Sequence, residues 1–184
     1  MAEETWKKKY PYEPGGSETG RAAHVEQAVR AGAREVGIGL EELDDWNCCG
    51  AAVGHIAGGA LPTMVLSGRN LAKAEQQGPQ DILTGCAACY LNTHGTNEKI
   101  KKEVALRRKV NEALSAADLS YDADLQVRHA CEVIVNDVGI DKVKDRVTNP
   151  LDGLKVAGYV GCQPCGPSPT PTRAAITTLM TTPR

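Results

Sequence analysis

Short apolar stretches that suit β-strands alternate along this chain with longer stretches that suit α-helices. The pattern predicts strands that end at residue 12 and that span residues 81–83 and 154–160. It predicts helices over residues 18–36, 62–77 and 125–138, and a long polar helix that starts at or just after Cys86. Alternation of this kind indicates an α/β fold, a Rossmann-like, mostly parallel sheet with flanking helices.

Length and charge narrow the classes of function. The 184 residues, 41% of them hydrophobic, can bury one good core with a remainder. The 21 Lys and Arg residues are matched by 23 Asp and Glu residues, so the chain lacks the basic surface that nucleic acid requires. No apolar stretch reaches the roughly 20 residues of a membrane helix, and the N-terminus lacks the apolar core of a signal peptide. We therefore expect a cytoplasmic protein with no membrane span and no nucleic-acid partner.

Four cysteines in two pairs are the most informative candidates for function. Cys48 and Cys49 stand in Asp-Trp-Asn-Cys-Cys-Gly, and Cys86 and Cys89 stand in Gly-Cys-Ala-Ala-Cys-Tyr. In a reducing compartment, cysteines clustered in this way favour metal or cluster binding over disulfides. Both pairs follow predicted strands, and loops at the carboxyl ends of parallel strands collect at one edge of the sheet. We therefore expect the two pairs to converge.

The spacing within each pair indicates what it can bind. Neighbouring side chains diverge, so Cys48 and Cys49 cannot easily chelate one tetrahedral ion, although they can reach two irons of a cluster. Cys86 and Cys89 lie on one side of a tight turn at a helix start, where the helix end lowers the pKa of thiols. Four thiolates suit an iron–sulfur cluster and also structural zinc, and a vicinal disulfide between Cys48 and Cys49 is a third option.

These residues carry a resemblance to a known family. The segment Asp-Trp-Asn-Cys-Cys-Gly-Ala, followed by Cys-Ala-Ala-Cys-Tyr, resembles the cysteine-rich CCG domain of the heterodisulfide reductase B-type subunits and their relatives, including the sulfur-oxidising heterodisulfide-reductase-like complex. The resemblance continues to Lys-Val-Ala-Gly-Tyr-Val-Gly-Cys-Gln and covers about residues 7 to 163. It implies an oxidoreductase subunit that exchanges electrons with a thiol or disulfide substrate. The partners implied are a ferredoxin-like iron–sulfur subunit and a flavin-binding subunit.

The chain departs from the family pattern at one ligand position. The family has five cysteines per repeat, which can hold a noncubane four-iron, four-sulfur cluster, and the first of them follows Pro-Gly after the first strand. Here Gly16 stands at that position, in Pro14-Gly15-Gly16-Ser17. The resemblance therefore implies a 4Fe-4S centre, noncubane or degenerate because Gly16 replaces a ligand, with a two-iron cluster or zinc as alternatives. His55 is a candidate for a borrowed fifth ligand.

The resemblance also divides the chain into domains. We expect a first CCG domain over residues 1–150 and the first strand of a truncated second repeat over residues 151–163, with Cys162 as a ligand of that incomplete repeat. Residues 164–184 are rich in proline and threonine and predict an irregular tail. The abrupt change in composition after Gln163 leads to the hypothesis of a shifted reading frame, which the nucleotide sequence there would decide.

Two classes of function follow. The first is an iron–sulfur redox subunit of a complex, although this chain alone is expected to be inactive if its second repeat is truncated. The second is a non-catalytic domain in which zinc or a simple cluster only holds the loops together. A dinucleotide-binding enzyme is rejected, because no Gly-x-Gly-x-x-Gly follows the first predicted strand.

Overall fold

A four-stranded, all-parallel sheet forms the centre of the fold. The structure is a computed structural model that describes residues 8–54, 56, 58–78, 81–150, 152–155 and 161. Its strands are β1 (Lys8–Glu13), β2 (Ile38–Glu42), β3 (Ile82–Thr84) and β4 (Val127–His129), in the order β2-β1-β3-β4. The helices of the described residues are α1 (Ala23–Glu35), α2 (Ala60–Gln76), α3 (Ala87–Lys102), α4 (Val104–Leu114), α5 (Ala130–Val133) and α6 (Ile140–Lys144). The predicted α/β class is confirmed.

Strand β1 lies inside the sheet and pairs with two of the other three strands. It pairs with β2 through residues 8–12 and with β3 at Tyr12 and Glu13. Its first residues, Lys8 and Lys9, are exposed, whereas its last four are buried. The sheet order reverses direction between β1 and β3, and in open parallel sheets such a reversal leaves a crevice at the carboxyl ends of the strands. The carboxyl ends of β1 and β3 therefore lie side by side at the crevice.

Two apolar clusters form the core. The larger brings together α2, α3, α4 and the segment before β4, with Leu71, Tyr90 and Val110 fully or almost fully buried. The smaller contains Tyr10 and Tyr12 of β1, Ala33 of α1 and Val133 of α5. Burial of each such side chain stabilises the fold by about 1.5–3 kcal/mol. Together they hold the strands, and with them the crevice, in place.

Three expectations about the first half and the long polar helix need correction or completion. The first helix begins at Ala23 instead of residue 18, because residues 16–22 form hydrogen-bonded turns that include Gly20. The strand expected before Cys48 and Cys49, for which the pattern gave no bounds, is β2 at residues 38–42, which pairs with β1. The long polar helix is interrupted at Glu103, whose backbone is extended, so that α3 and α4 are separate.

The expected helix over residues 125–138 is wrong in its first part. Residues 127–129 form β4, which pairs in parallel with β3, and α5 begins only at Ala130. Val127, with its branched β-carbon, is buried at this strand position, so pairing to β3 overrides a helical pattern. Beyond α5 the chain continues as one π-helical turn, Ile134–Val138.

The predictions for the end of the chain concern residues that the structure largely does not describe. Of the strand predicted at residues 154–160, Leu154 and Lys155 are described and belong to no strand, and the other five lie outside the described residues. Cys162 and the tail over residues 164–184 also lie outside them. In the described part of the chain, each helix is too short or too polar to cross a membrane.

Candidate metal centre

Two loops meet at the crevice between β1 and β3. The first loop runs from Glu13, the last residue of β1, through Pro14 and Gly15 to Ser17. The second runs from Thr84, the last residue of β3, to the start of α3. Because β1 and β3 are parallel neighbours, their ends face the same side. The position after β3 therefore places Cys86 and Cys89 opposite the turn at Gly15.

Cys86 and Cys89 are held by the start of α3. Cys86 is the N-cap residue, with extended backbone angles, and its backbone N–H donates a hydrogen bond to Thr84 Oγ1 at 3.3 Å. A hydrogen bond from Cys89 and the backbone N–H groups of the first helical turn lower the pKa of Cys86 to about 5. Cys89, only 3% exposed, has its pKa raised by its hydrogen bonds with Cys49 and Cys86 and by burial. The pair thus combines a ready thiolate with a thiol whose single hydrogen can be donated to Cys86 or to Cys49.

The vicinal pair splits into one buried and one exposed thiol. Cys49 is 2% exposed, and its hydrogen bond with Cys89 lowers its pKa to about 6. Cys48 is exposed. The two cysteines are free thiols, so the structure does not contain the vicinal disulfide that the sequence left open. The loops that carry the two cysteine pairs do converge, as expected. Of the vicinal pair, only Cys49 lies close to Cys89.

Side chains of α2 hold the vicinal loop against the sheet. Ser67 Oγ donates to the Cys49 carbonyl oxygen at 2.8 Å. Asn70 Oδ1 accepts from the Asn47 backbone N–H at 2.9 Å, and Asn70 Nδ2 donates to the Asn47 carbonyl oxygen at 2.7 Å. Buried side-chain hydrogen bonds of this kind leave few alternative positions for the loop. The loop is therefore fixed although no helix begins within it.

Glu13 is the residue of this site that the sequence analysis missed. Its side chain is completely buried, and one of its carboxylate oxygens lies with Cys49 Sγ and Cys89 Sγ in a group whose atoms are all within 4.8 Å of one another. Burial, reinforced by the charge of Cys49, raises the pKa of Glu13 to about 8. A signal was present: Glu13 interrupts an otherwise apolar strand end immediately before Pro14. A buried acid in such a place is protonated, is paired or coordinates a metal.

The two glycines after Pro14 differ in what they accommodate. Gly15 has a φ of +83°, and a β-carbon there would lie only 2.7 Å from Cys89 Sγ. A β-carbon at Gly16 would meet no atom within 4 Å. Gly15 is thus needed for the close approach of the backbone to the sulfurs. Gly16 faces open space in which a side chain, or an inorganic centre bound by its neighbours, has room.

Further groups border the crevice. Ser17 Oγ lies 3.6 Å from Cys86 Sγ, and Asn92 Nδ2 donates to Cys49 Sγ at 3.9 Å. His129 is buried at the end of β4, with its ring edge-on to Tyr90 at a centroid distance of 5.5 Å. His55, the candidate borrowed ligand, and Cys162 lie outside the described residues.

The donor set suits a metal centre. Soft thiolate sulfur binds iron–sulfur clusters and zinc, and carboxylate oxygen adds a harder donor. Glu13 at the end of β1 and Cys89 of α3 lie within 4.8 Å of Cys49, whose loop is held by α2, and Cys86 and Cys89 both lie against Gly15. The chemistry of these donors therefore fits the cofactors that the sequence predicts.

Comparison with known proteins finds a cysteine-rich family model and several similar reductase proteins. A family model described as a cysteine-rich domain, CCG, matches residues 17–94, a range that contains both cysteine pairs. The 8-methylmenaquinol:fumarate reductase membrane anchor subunit of Wolinella succinogenes is 31% identical over 160 residues, 87% of this chain and 54% of that protein. A protein of Archaeoglobus profundus, named as similar to the B-type subunit of heterodisulfide reductase, is 32% identical over 150 residues, 78% of this chain and 48% of that protein.

A third relative extends the same pattern. The B-type subunit of the ferredoxin/F(420)H(2)-dependent CoB-CoM heterodisulfide reductase of Methanosarcina acetivorans is 29% identical over 144 residues, 78% of this chain and 47% of that protein. The chain spans about half the length of the curated relatives it matches. By name, each of these relatives is a subunit or is similar to one.

Proposed function

The chain belongs to the CCG cysteine-rich family that includes the B-type subunits of heterodisulfide reductase, and we propose that it is an iron–sulfur redox subunit of a multi-subunit reductase. The observation that carries the proposal is the meeting of three sulfurs in one crevice: Cys49 and Cys89 lie within 4.8 Å of each other, and Cys86 and Cys89 both lie against Gly15. Sulfur donors gathered at the carboxyl ends of parallel strands are placed where this class of fold binds its ligands.

The residues that would hold the cofactor are Cys48, Cys49, Cys86 and Cys89. When bound, an iron–sulfur cluster supplies one-electron transfer to or from a thiol or disulfide sulfur. The exposed Cys48 thiol and the buried Cys49 thiol let the pair reach two different irons at the mouth of the crevice. With Gly16 in place of a fifth cysteine, four thiolates suit an ordinary four-iron cluster better than a noncubane one.

The surroundings of these thiols support binding of an anionic cluster. At the N-terminus of α3, backbone N–H groups hydrogen bond to the Cys86 sulfur, and the helix end favours negative charge. Asn92 donates a further hydrogen bond to Cys49 Sγ at 3.9 Å. Such donors raise the reduction potential of a cluster because they stabilise the added electron's charge. The buried positions of Cys49 and Cys89 keep water from these sulfurs.

The substrate and partners are part of the same proposal. A thiol or disulfide substrate, a ferredoxin-like iron–sulfur subunit and a flavin-binding subunit are proposed because the chain is similar to named heterodisulfide reductase subunits. The first CCG domain over residues 1–150, a second repeat with Cys162 as a ligand, and a cytoplasmic location complete the proposal.

A zinc-stabilised, non-catalytic domain is the alternative. The observation that favours it is the grouping of one oxygen and two sulfur donors within 4.8 Å of one another, which suits a single ion. Such a site would tie β1, the vicinal loop and α3 together. It would add stability without redox activity.

Redox spectroscopy with matched variants distinguishes the two functions. The protein is reconstituted with iron and sulfide without oxygen, and electron paramagnetic resonance is recorded at controlled potentials. A reversible signal is expected for the wild type and for Cys131→Ser, since Cys131 belongs to α5 and not to the proposed ligand set. The signal is expected to be lost in Cys89→Ser. A wild type that binds only zinc, with no reversible signal, would contradict the redox proposal.

A further inference from the structure

A buried carboxylate stands directly beside the proposed metal ligands. Glu13 is completely buried at the end of β1, and a carboxylate oxygen lies with Cys49 Sγ and Cys89 Sγ within 4.8 Å of one another. The residue is not one of the cysteines that define the CCG pattern. We propose that Glu13 is a ligand of this metal centre, its carboxylate supplying the coordination position that Gly16 leaves without a thiolate. The inference rests on the proposed function, because it requires that the crevice bind a metal centre.

The distances suit coordination of a single metal ion by three donors, as in the Zn²⁺ or Co²⁺ form that tests the assignment. Tetrahedral zinc bonds of about 2.0–2.2 Å to oxygen and 2.3 Å to sulfur place neighbouring donors about 3.3–3.8 Å apart. The three donor atoms of Glu13, Cys49 and Cys89 lie within 4.8 Å of one another, so they need to contract by no more than about 1.5 Å around a metal ion of this kind.

The carboxylate is held in place by two donors that leave room for a metal. Asn70 Nδ2 donates to Glu13 Oε1 at 2.9 Å, and Thr93 Oγ1 donates to Glu13 Oε2 at 3.2 Å. An ionised carboxylate has about four acceptor positions, so two remain. Asn70 also binds the loop of the vicinal cysteines, and Thr93 lies one turn beyond Cys89 on α3. The groups that orient Glu13 therefore belong to the elements that carry the thiols.

Glu13 has no cationic side-chain partner in the described part of the chain. Among the described residues no Lys, Arg or His makes an ion pair with Glu13, and its hydrogen-bond donors, Asn70 and Thr93, are neutral. Burial of a charge is costly unless the charge is paired or coordinates a metal. A metal bound by Cys49, Cys89 and Glu13 supplies that positive charge.

Cobalt binding tests the assignment without reference to activity. The metal-free protein is titrated with Co²⁺ without oxygen, and its visible absorption reports both affinity and donor set. Glu13→Gln keeps the size of the side chain and one of its two acceptor oxygens but removes its charge. We expect it to weaken Co²⁺ affinity by about 10- to 100-fold or more and to shift the d–d bands. Equal affinity and an unchanged spectrum would overturn the assignment.

The chain offers a matched control in a second buried carboxylate. Glu18 is 3% exposed and accepts a hydrogen bond from the Tyr12 hydroxyl at 3.1 Å, but it does not belong to the group of close donor atoms in the described residues. Glu18→Gln is expected to leave the Co²⁺ affinity and the d–d bands unchanged. An equal loss in both variants would show that any buried charge matters, and would overturn a specific role for Glu13.

A rescue variant tests whether a thiolate at position 16 can replace the Glu13 carboxylate as a metal ligand. A side chain at Gly16 meets no atom within 4 Å, so a cysteine fits there. The double variant Glu13→Gln with Gly16→Cys is expected to regain Co²⁺ affinity and to gain a sulfur-to-cobalt absorption band. If the double variant binds Co²⁺ no more tightly than Glu13→Gln alone, a thiolate at position 16 does not replace the carboxylate, and this part of the proposal is contradicted.

Two measurements keep the test decisive. Circular dichroism of each variant checks folding, and the infrared difference spectrum of the wild type on Zn²⁺ binding needs no variant, because a coordinated carboxylate shifts its stretching bands. No carboxylate shift would overturn the assignment. A wild type that binds Zn²⁺ or Co²⁺ without involving Glu13 overturns the assignment and leaves the proposed function intact. A wild type that binds neither metal also overturns the assignment, whereas the proposed function fails only if reconstitution with iron and sulfide gives no reversible signal.

Discussion

The two cysteine loops reach the same crevice by different means. After β3 the chain enters α3 within a few residues, and the start of this helix holds Cys86 and Cys89. After β2 no helix begins until Ala60 in the described part of the chain, and the loop with Cys48 and Cys49 is held by hydrogen bonds from α2. Local backbone geometry therefore positions one pair, and long-range side-chain contacts position the other. In the loop held by α2, Cys48 is exposed whereas Cys49 is buried.

The largest expected effect separates the buried thiols from the exposed one. Cys89→Ser removes the thiol that is hydrogen-bonded with Cys49 and Cys86, and we expect it to lower zinc affinity by more than about 100-fold. Cys48→Ser is expected to lower it by about tenfold, because its thiol is exposed and makes fewer contacts. Competition with a chromophoric chelator measures both affinities. Equal losses would contradict the unequal roles of the two loops.

Asn70 tests whether side-chain contacts hold the vicinal loop. Asn70→Ala removes hydrogen bonds to the Asn47 backbone and to Glu13 and leaves buried polar groups unpaired, so the free energy of unfolding should fall by about 2–3 kcal/mol. Thr84→Val removes one hydrogen bond of the other loop, to the Cys86 N–H, and should cost only about 1 kcal/mol. Urea denaturation of both variants measures the difference. A smaller loss for Asn70→Ala than for Thr84→Val would contradict this comparison.

His129 packs behind the Cys86 loop, against Tyr90, and should give the stability of the protein a pH dependence. Burial lowers the pKa of His129 to about 4. Between pH 6.5 and 4 the unfolded imidazole binds a proton that the folded one does not, so this group lowers stability as the pH falls, by about 2 kcal/mol at pH 5.

The variant His129→Asn isolates this contribution. An asparagine can still accept the hydrogen bond that His129 Nδ1 accepts from the Cys131 N–H, so the cap of α5 is kept. We measure the free energy of unfolding of the metal-free wild type and variant at pH 7.5 and pH 5. The wild type should lose about 2 kcal/mol more than the variant on acidification. Parallel behaviour of the two proteins would show that His129 is not buried in its neutral form.

The smallest expected effect lies within the Cys86 loop. Cys86 is half-buried and its pKa is lowered to about 5, whereas Cys89 is buried and its pKa is raised. Because the thiolate is the nucleophile, iodoacetamide at pH 7 should alkylate Cys86 at least about tenfold faster than Cys89 in the metal-free protein. Peptide mass spectrometry over time measures both rates. Bound metal should slow the reaction at both positions.

The sequence predicted those parts of the site that depend on local pattern. The parallel sheet, the helix start at Cys86 and the convergence of two loops follow from strand–helix alternation and from the Cys-x-x-Cys spacing. Strand β4 was not predicted, because Val127 joins the sheet only through pairing with β3. The burial of Glu13 depends on Asn70 and Thr93, which are far from it in sequence. Contacts between residues that are far apart in sequence produce no periodic pattern along the chain, so the burial of Glu13 could not be predicted from the sequence.

The most direct test of the central claim is the metal content of the chain purified without oxygen. Iron, acid-labile sulfide and zinc are measured per chain on the same sample. We predict about four irons and four sulfides, as expected for a four-iron cluster held by Cys48, Cys49, Cys86 and Cys89. One zinc and no iron per chain would contradict a redox centre, and neither metal would contradict any metal centre in the crevice.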